Sequence, residues 1–258
     1  MDRIYGQNAP YAKGLLFLQC NFSIMQFPKI YNKGQAQLFN NRYLEHLTKT
    51  HPLVIWCLYV PIIIGMIYYC SAMFEMPVLK VFLLFLAGMF FWTLFEYTMH
   101  RYVFHFMAQS ERTVKIVYLI HGNHHEYPRD KERLFMPPVP SIILASFVFS
   151  VMYFAEHVLT GRVMGIFAFF PGFILGYLMY GTMHYAIHAF NPPFKWMKPL
   201  WRNHHLHHYK KQEKGFGVSS TLWDHIFGTM FNLKNEAEDK EKIKELMFLP
   251  RPAKEKVL

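Results

Sequence analysis

Only three of the 258 residues are cysteine, at Cys20, Cys57 and Cys70, and none forms a CxxC pair. A helix running from Cys57 to Cys70 would hold the two about 20 Å apart, far beyond disulfide reach. A disulfide framework is therefore excluded. Charge is scarce as well: Asp, Glu, Lys and Arg make up 17% of the chain, where a soluble domain carries about a quarter. With 53% hydrophobic residues, 18% aromatic residues and 26 phenylalanines, the chain is too apolar for a disordered or fibrous protein. No recognition motif accompanies the net charge of +10, so nucleic-acid binding is not expected. Near the N-terminus the apolar stretch from Gly14 to Phe27 is broken by Gln19, Asn21, Ser23 and Gln26. No small-residue cleavage site follows it, and it reads as a segment lying in the membrane interface rather than a signal peptide.

What the chain has instead is long uncharged runs. Leu53 to Phe74, Leu134 to Ala155 and Val163 to Met183 each suffice for a hydrocarbon core of about 30 Å. A fourth run from Lys80 to His100 has Glu96 as its only internal charge. These predict an all-α integral membrane protein with spans near 53–74, 79–99, 138–159 and 163–184. Short connections around 71–80 and 160–162 pair the spans into two hairpins. Segments 1–51, 100–138 and 189–258 then emerge on one side, and that side holds all of the 27 Lys and Arg residues except Lys80 and Arg162. The positive-inside rule makes it cytosolic, with both termini there. The stretch EAEDKEKIKELMFLP alternates charge sign and predicts a solvated helix. The final KEKVL, with Lys254 and Lys256, resembles a dilysine retrieval signal of the endoplasmic reticulum membrane.

Leaving His205 aside, ten of the fifteen histidines crowd into four motifs on that same side: HRYVFH, HGNHH, HYAIH and HHLHH. On a helix, positions i, i+3 and i+4 share a face. His121, His124 and His125 can therefore point together, as can His204, His207 and His208, while His184 and His188 form an i, i+4 pair suited to gripping one ion. His100 and His105 sit about 140° apart on an α-helix, so this pair straddles a helix end or serves two ions. Crowded imidazoles repel one another when protonated, whereas a metal binds them neutral. Zinc staples take four ligands. Ten histidines give two ions about five each, closer to iron with open positions for oxygen. His46, His51 and His157 read as ordinary interfacial or core residues, His205 as a neighbour of the ligands or solvent-facing, and His225 as unassigned.

The segments FEYTMHRYVFHF, HGNHHEYPRDKERLFMPP, LGYLMYGTMHYAIH and HHLHHYKKQEKGFGVSSTLWDHIFGT together resemble the fatty acid 2-hydroxylases of the fatty acid hydroxylase and sterol desaturase superfamily. The likeness covers roughly residues 38–231, and the second segment, through Pro128, Asp130, Arg133, Met136, Pro137 and Pro138, is its most specific part. It implies a membrane hydroxylase domain over 52–231, preceded by a cytosolic or interfacial segment 1–51 and followed by a charged cytosolic tail 232–258, with the histidine boxes in a cytosolic helical cap. It implies that His100, His105, His121, His124, His125, His184, His188, His204, His207 and His208 ligate two metal ions, iron as the working metal and zinc as an occupant of purified protein. The di-metal centre itself is then the catalyst. Relatives commonly carry an Asp where this chain has Gly181, and an apolar residue where it has His205.

The implied activity is insertion of an O2-derived hydroxyl at carbon 2 of long acyl chains, free or in ceramide, for sphingolipid synthesis. The alternatives are a sterol oxidase or acyl desaturase with the same metal site, or a membrane metal-binding scaffold. Members with a fused cytochrome b5 carry His-Pro-Gly-Gly; here His51 and Pro52 are followed by Leu and Val. The resemblance is thus to a form lacking that domain, with electrons from NADH or NADPH arriving through cytochrome b5 and its reductase in trans. Glu96, one turn before His100, is expected to orient that ring, with an interfacial carboxylate as the alternative. Asp130 and Asp224 are expected to be supporting polar groups. Phe90, Phe91, Phe95, Phe173 and Tyr177 mark either a substrate groove or simple packing.

Overall fold

Proline fixes where two of the long helices begin. In a computed structural model, which describes residues 30–108 and 110–231, α2 (Pro52–Phe74) starts with Pro52 in its first turn and the His51 side chain accepting from the Leu53 N–H. Proline is tolerated there because the missing N–H would lack a helical partner anyway. The helix α6 (Pro138–Thr160) starts in the same way at Pro138, so the uncharged run from Leu134 becomes helical only four residues later. Left-handed residues end both helices, Glu75 at φ 49° and Gly161 at φ 66°. Only Glu75 to Pro77 separate α2 from α3 (Val78–Thr98), and a similarly short turn separates α6 from α7 (Ile166–Ala189). The two expected hairpins are present. The last span starts three residues later than expected and runs further, carrying both of its histidines inside the helix.

Among the described residues four helices are long and apolar enough to cross a membrane, and α7 is the most enclosed, with 56% of its most apolar window buried against 11–22% for the other three. Glycines make this possible. A Cβ on Gly172 would lie 1.9 Å from the Phe85 carbonyl oxygen, and one on Gly88 would lie 2.0 Å from that of Phe169. Small residues let α3 and α7 approach backbone to backbone, the usual means of helix association in lipid. Around this seam Trp92, Phe95, Phe173 and Tyr177 pack ring against ring.

Short helices cover one end of the bundle: α1 (Arg42–Leu47), α4 (Glu111–Val117), α5 (Asn123–Glu126), α8 (Lys198–Tyr209) and α9 (Leu222–Ile226), with no strand among the described residues. The chain before α2 is tied onto this cap. Arg133 pairs with Glu45 and, at 2.6 Å, with Asp130, while Lys49 pairs with Glu132 at 2.7 Å. The interfacial segment 14–27, the charged helix expected after residue 235, Cys20, Lys254 and Lys256 lie outside the described residues.

Candidate metal centre

The end of α3 explains how His100 and His105 cooperate. Past Thr98 the chain winds as a π-helix over Met99–Phe104, and the His105 N–H donates to the His100 carbonyl five residues back, at 3.3 Å. This wider winding brings residues five apart onto one side. The expected pair of alternatives is resolved: His105 does sit at the helix end, and the two rings serve one group. A second π-turn, Tyr118–Gly122, precedes α5. The Asn123 side chain donates to the Tyr118 and Leu119 carbonyls at 2.9 and 3.0 Å, satisfying oxygens in that widened turn.

All ten histidines converge, in two groups of five. His100, His105, His121, His125 and His207 form the first; His124, His184, His188, His204 and His208 form the second. Each His-x-x-His-His motif is divided between them, contrary to the expectation that its three rings point together. The i and i+4 rings go to one group and the i+3 ring to the other, and the division is reversed between α5 and α8. The groups abut, with His125 stacked on His208 at 4.1 Å between ring centres.

The donor geometry fits a metal. Within the first group Nε2 of His121 lies 3.1 Å from that of His100 and 3.0 Å from that of His125, and His105 and His207 approach to 2.9 Å. Within the second, Nε2 of His124 is 2.8 Å from that of His184, and His204 is 2.9 and 3.1 Å from His188 and His208. Imidazoles at about 2.1 Å from an ion have donors about 3.0 Å apart at right angles but about 3.4 Å apart in a tetrahedron. The observed edges are those of nitrogens close enough to share one ion, and all five donors of each group lie within 4.8 Å of one another.

In three of the rings the opposite nitrogen faces a backbone oxygen. Nδ1 of His100 donates to the Phe216 carbonyl at 2.6 Å, that of His207 to Lys214 at 2.8 Å, and that of His184 to Leu134 at 3.3 Å. Such bonds fix the tautomer that leaves Nε2 free for a metal. Burial, with repulsion from neighbouring rings second, depresses His121, His124, His125, His204, His207 and His208 well below the ordinary 6.5, and His105 to about 2. The rings are therefore neutral, as ligands must be.

Glu96 is placed differently from either expectation. It is 4% exposed, so it faces no headgroups, and it does not touch the His100 ring. Its carboxylate accepts from the Val218 and Ser219 N–H groups at 2.7 and 2.9 Å and from the Ser219 hydroxyl. Asp224, whose pKa burial raises, accepts from the Phe216 and Gly217 N–H groups at 3.0 and 2.8 Å. Sequence inspection missed the loop between them because its contribution is made by backbone atoms. Asp130 sits away from the rings: it caps a short turn through the Glu132 N–H and pairs with Arg133. His205 is buried, 7% exposed, with Nδ1 donating to the Trp201 carbonyl and its ring 6.0 Å from that of His188, so the solvent-facing alternative falls. His225 is exposed and bonds the Thr221 carbonyl, and His51 is a helix cap.

A cavity of about 440 Å³ opens at the centre, a size typical of small-molecule sites. His121, His124 and His184 line it together with Trp92, Phe95, Phe173 and Tyr177 of the spans. Phe90 and Phe91, 58% and 40% exposed, lie outside it. Gly181 is on its wall, where a Cβ would stand 2.3 Å from the Phe135 ring. Phe135 fills the space a larger side chain would need.

Residues 85–229 match the family described as fatty acid hydroxylase. The chain is 40% identical over 207 residues to "Ceramide very long chain fatty acid hydroxylase SCS7" of Saccharomyces cerevisiae, covering 78% of this chain and 51% of that one. It is 36% identical over 210 residues to "Dihydroceramide fatty acyl 2-hydroxylase FAH1" of Arabidopsis thaliana, covering 78% and 82%. The chain thus spans about half the length of the yeast relative and about four-fifths of the plant one. Among solved structures, "Full length scs7p (only hydroxylase domain visible)" superimposes with a TM-score of 0.70 at 36% identity, covering 78% of this chain and 74% of that one. A helical membrane bundle capped by ten converging imidazoles, and matched in sequence and in structure, belongs to the fatty acid hydroxylase family.

Proposed function

We propose that this chain is a metal-dependent fatty acyl 2-hydroxylase acting on long acyl chains, free or in ceramide, for sphingolipid synthesis. One observation carries the reading most directly: a single apolar cavity is lined both by residues of the spans and by His121, His124 and His184. A lipid tail in that cavity leaves its carboxyl end, and hence carbon 2, beside the imidazoles. The names of the relatives agree with this chemistry.

His100, His105, His121, His125 and His207 would hold one ion and His124, His184, His188, His204 and His208 the other. Two irons bound there, with dioxygen and two electrons, supply the oxidising power to replace an unactivated C–H bond by C–OH. The protein's own contribution is positional. Backbone carbonyls hold the rings of His100, His184 and His207 with Nε2 turned inward. Trp92, Phe95 and Phe173 exclude water from the approach, and the depth of the cavity fixes which carbon arrives.

The hydroxylase domain spans 52–231, with 1–51 cytosolic or interfacial and 232–258 a charged cytosolic tail, in an endoplasmic reticulum membrane with both termini cytosolic. Electrons derive from NADH or NADPH through cytochrome b5 and its reductase in trans, docking on the basic side. The test is lipid mass spectrometry on a host lacking its own 2-hydroxylase. Expression should produce 2-hydroxy acyl lipids, and the His124→Ala variant should produce none. A new double bond or an oxidised sterol in their place would transfer the site to the alternative chemistry, and unaltered lipids would favour a scaffold.

A further inference from the structure

Two buried carboxylates, Glu96 at 4% and Asp224 at 0% exposure, face the same short loop from opposite sides. Neither pairs with a cation among the described residues. Glu96 takes the Val218 and Ser219 N–H groups and the Ser219 hydroxyl. Asp224 takes those of Phe216 and Gly217 and the Thr229 hydroxyl at 2.7 Å. Four consecutive peptide N–H groups thus point at two carboxylates, an arrangement that costs desolvation and is maintained only where the bonds are complete. The loop is built for this fit. Gly215 has φ +72°, and a Cβ on Gly217 would lie 2.0 Å from the Ser220 carbonyl oxygen and 2.8 Å from Asp224 Oδ2.

The carbonyls of this loop face the other way. Those of Phe216 and Lys214 accept from Nδ1 of His100 and His207, and both rings belong to the first histidine group. In the second group His184 is held instead by the Leu134 carbonyl, on a different element. We infer that Glu96 and Asp224 are positioning residues for the first ion alone: Asp224 bonds the N–H of the Phe216–Gly217 peptide whose carbonyl holds His100, and Glu96 fixes the next two peptides of the same loop. This rests on the reading of the two histidine groups as metal sites. A carboxylate bonded to a peptide N–H polarises that peptide and strengthens its carbonyl as an acceptor. The His100 imidazole is thereby held more firmly, much as a directly bonded carboxylate would hold it, while the Lys214 peptide that holds His207 is tied through the Gly215 N–H to the carbonyl of Thr229, whose hydroxyl Asp224 accepts.

The experiment is metal stoichiometry on detergent-purified full-length protein reloaded with iron(II) under anaerobic conditions, with monodispersity and helicity checked. Wild type should hold two ions per chain. Glu96→Gln and Asp224→Asn should each weaken one ion by about 10- to 100-fold, as loss of a supporting partner does, so the count falls from about two to about one on dilution. His124→Ala should instead lose the second ion. Should both carboxylate variants fail to fold, Ser219→Ala, which removes only one hydroxyl donor, should still weaken one ion selectively. Two ions held at wild-type affinity, or both lost together, in the folded variants would overturn the inference. A wild type that holds none would overturn the metal reading itself, a different result.

Discussion

An imidazole kept from protonation carries a pH signature. In the unfolded chain the cap histidines take up protons near 6.5, whereas in the folded protein burial holds His121, His124 and His125 far below that value and His105 near 2. Their folded-state pKa values are lowered, so the unfolded state binds more protons as the pH falls from about 6.5 towards 2. Stability is complete above pH 6.5 and declines below it. Chelated protein in detergent should therefore melt at progressively lower temperature between pH 7 and pH 5, and a flat profile would mean that these rings are solvated. Gly217 gives a second test at this scale. Gly217→Ala places a methyl group against the Ser220 carbonyl oxygen, and the displaced loop should cost about 1–3 kcal/mol, read as a lower melting temperature.

Among the elements, the seam between α3 and α7 fixes where the histidines end up. Gly88 and Gly172 each sit where a Cβ would overlap backbone of the other helix. Gly172→Val should push the helices apart, lowering the yield of folded protein and separating the α3 rings from the α7 rings. Helices of this kind are legible in sequence because twenty uncharged residues have few other fates. Their ends are less so: α6 begins at Pro138 as expected, whereas α7 starts three residues late at Ile166 and continues through His188 because its polar groups enter a buried cluster. The ten rings were recognisable from spacing, but their division was not. A phase of 100° per residue places His121, His124 and His125 on one face, and only the packing of two such helices against each other reveals that i+3 serves the neighbouring group. The π-winding at Met99–Phe104 and the loop carbonyls left no side-chain trace to read.

For the whole molecule, binding and stability are linked. Ions that bind only the folded bundle raise its stability, by about 2.7 kcal/mol for each one present at a hundred times its dissociation constant. Chelation should lower the melting temperature, and readdition of iron(II) should restore it. Net charge acts at the same scale. With a net charge of +10, reduction by an acidic haem protein should slow as ionic strength rises. A rate independent of salt would remove the docking proposal.

The crossed allocation of rings bears on biosynthesis. Neither histidine group is complete before α8 exists, because His207 closes one and His204 with His208 close the other. A ribosome must deliver about four-fifths of the polypeptide before either ion has its full set of donors, and a truncation upstream of residue 204 removes donors from both sites at once. On the two-ion reading a full shell at either site would thus wait for α8, although four of the first group's five donors, His100, His105, His121 and His125, would already have been made.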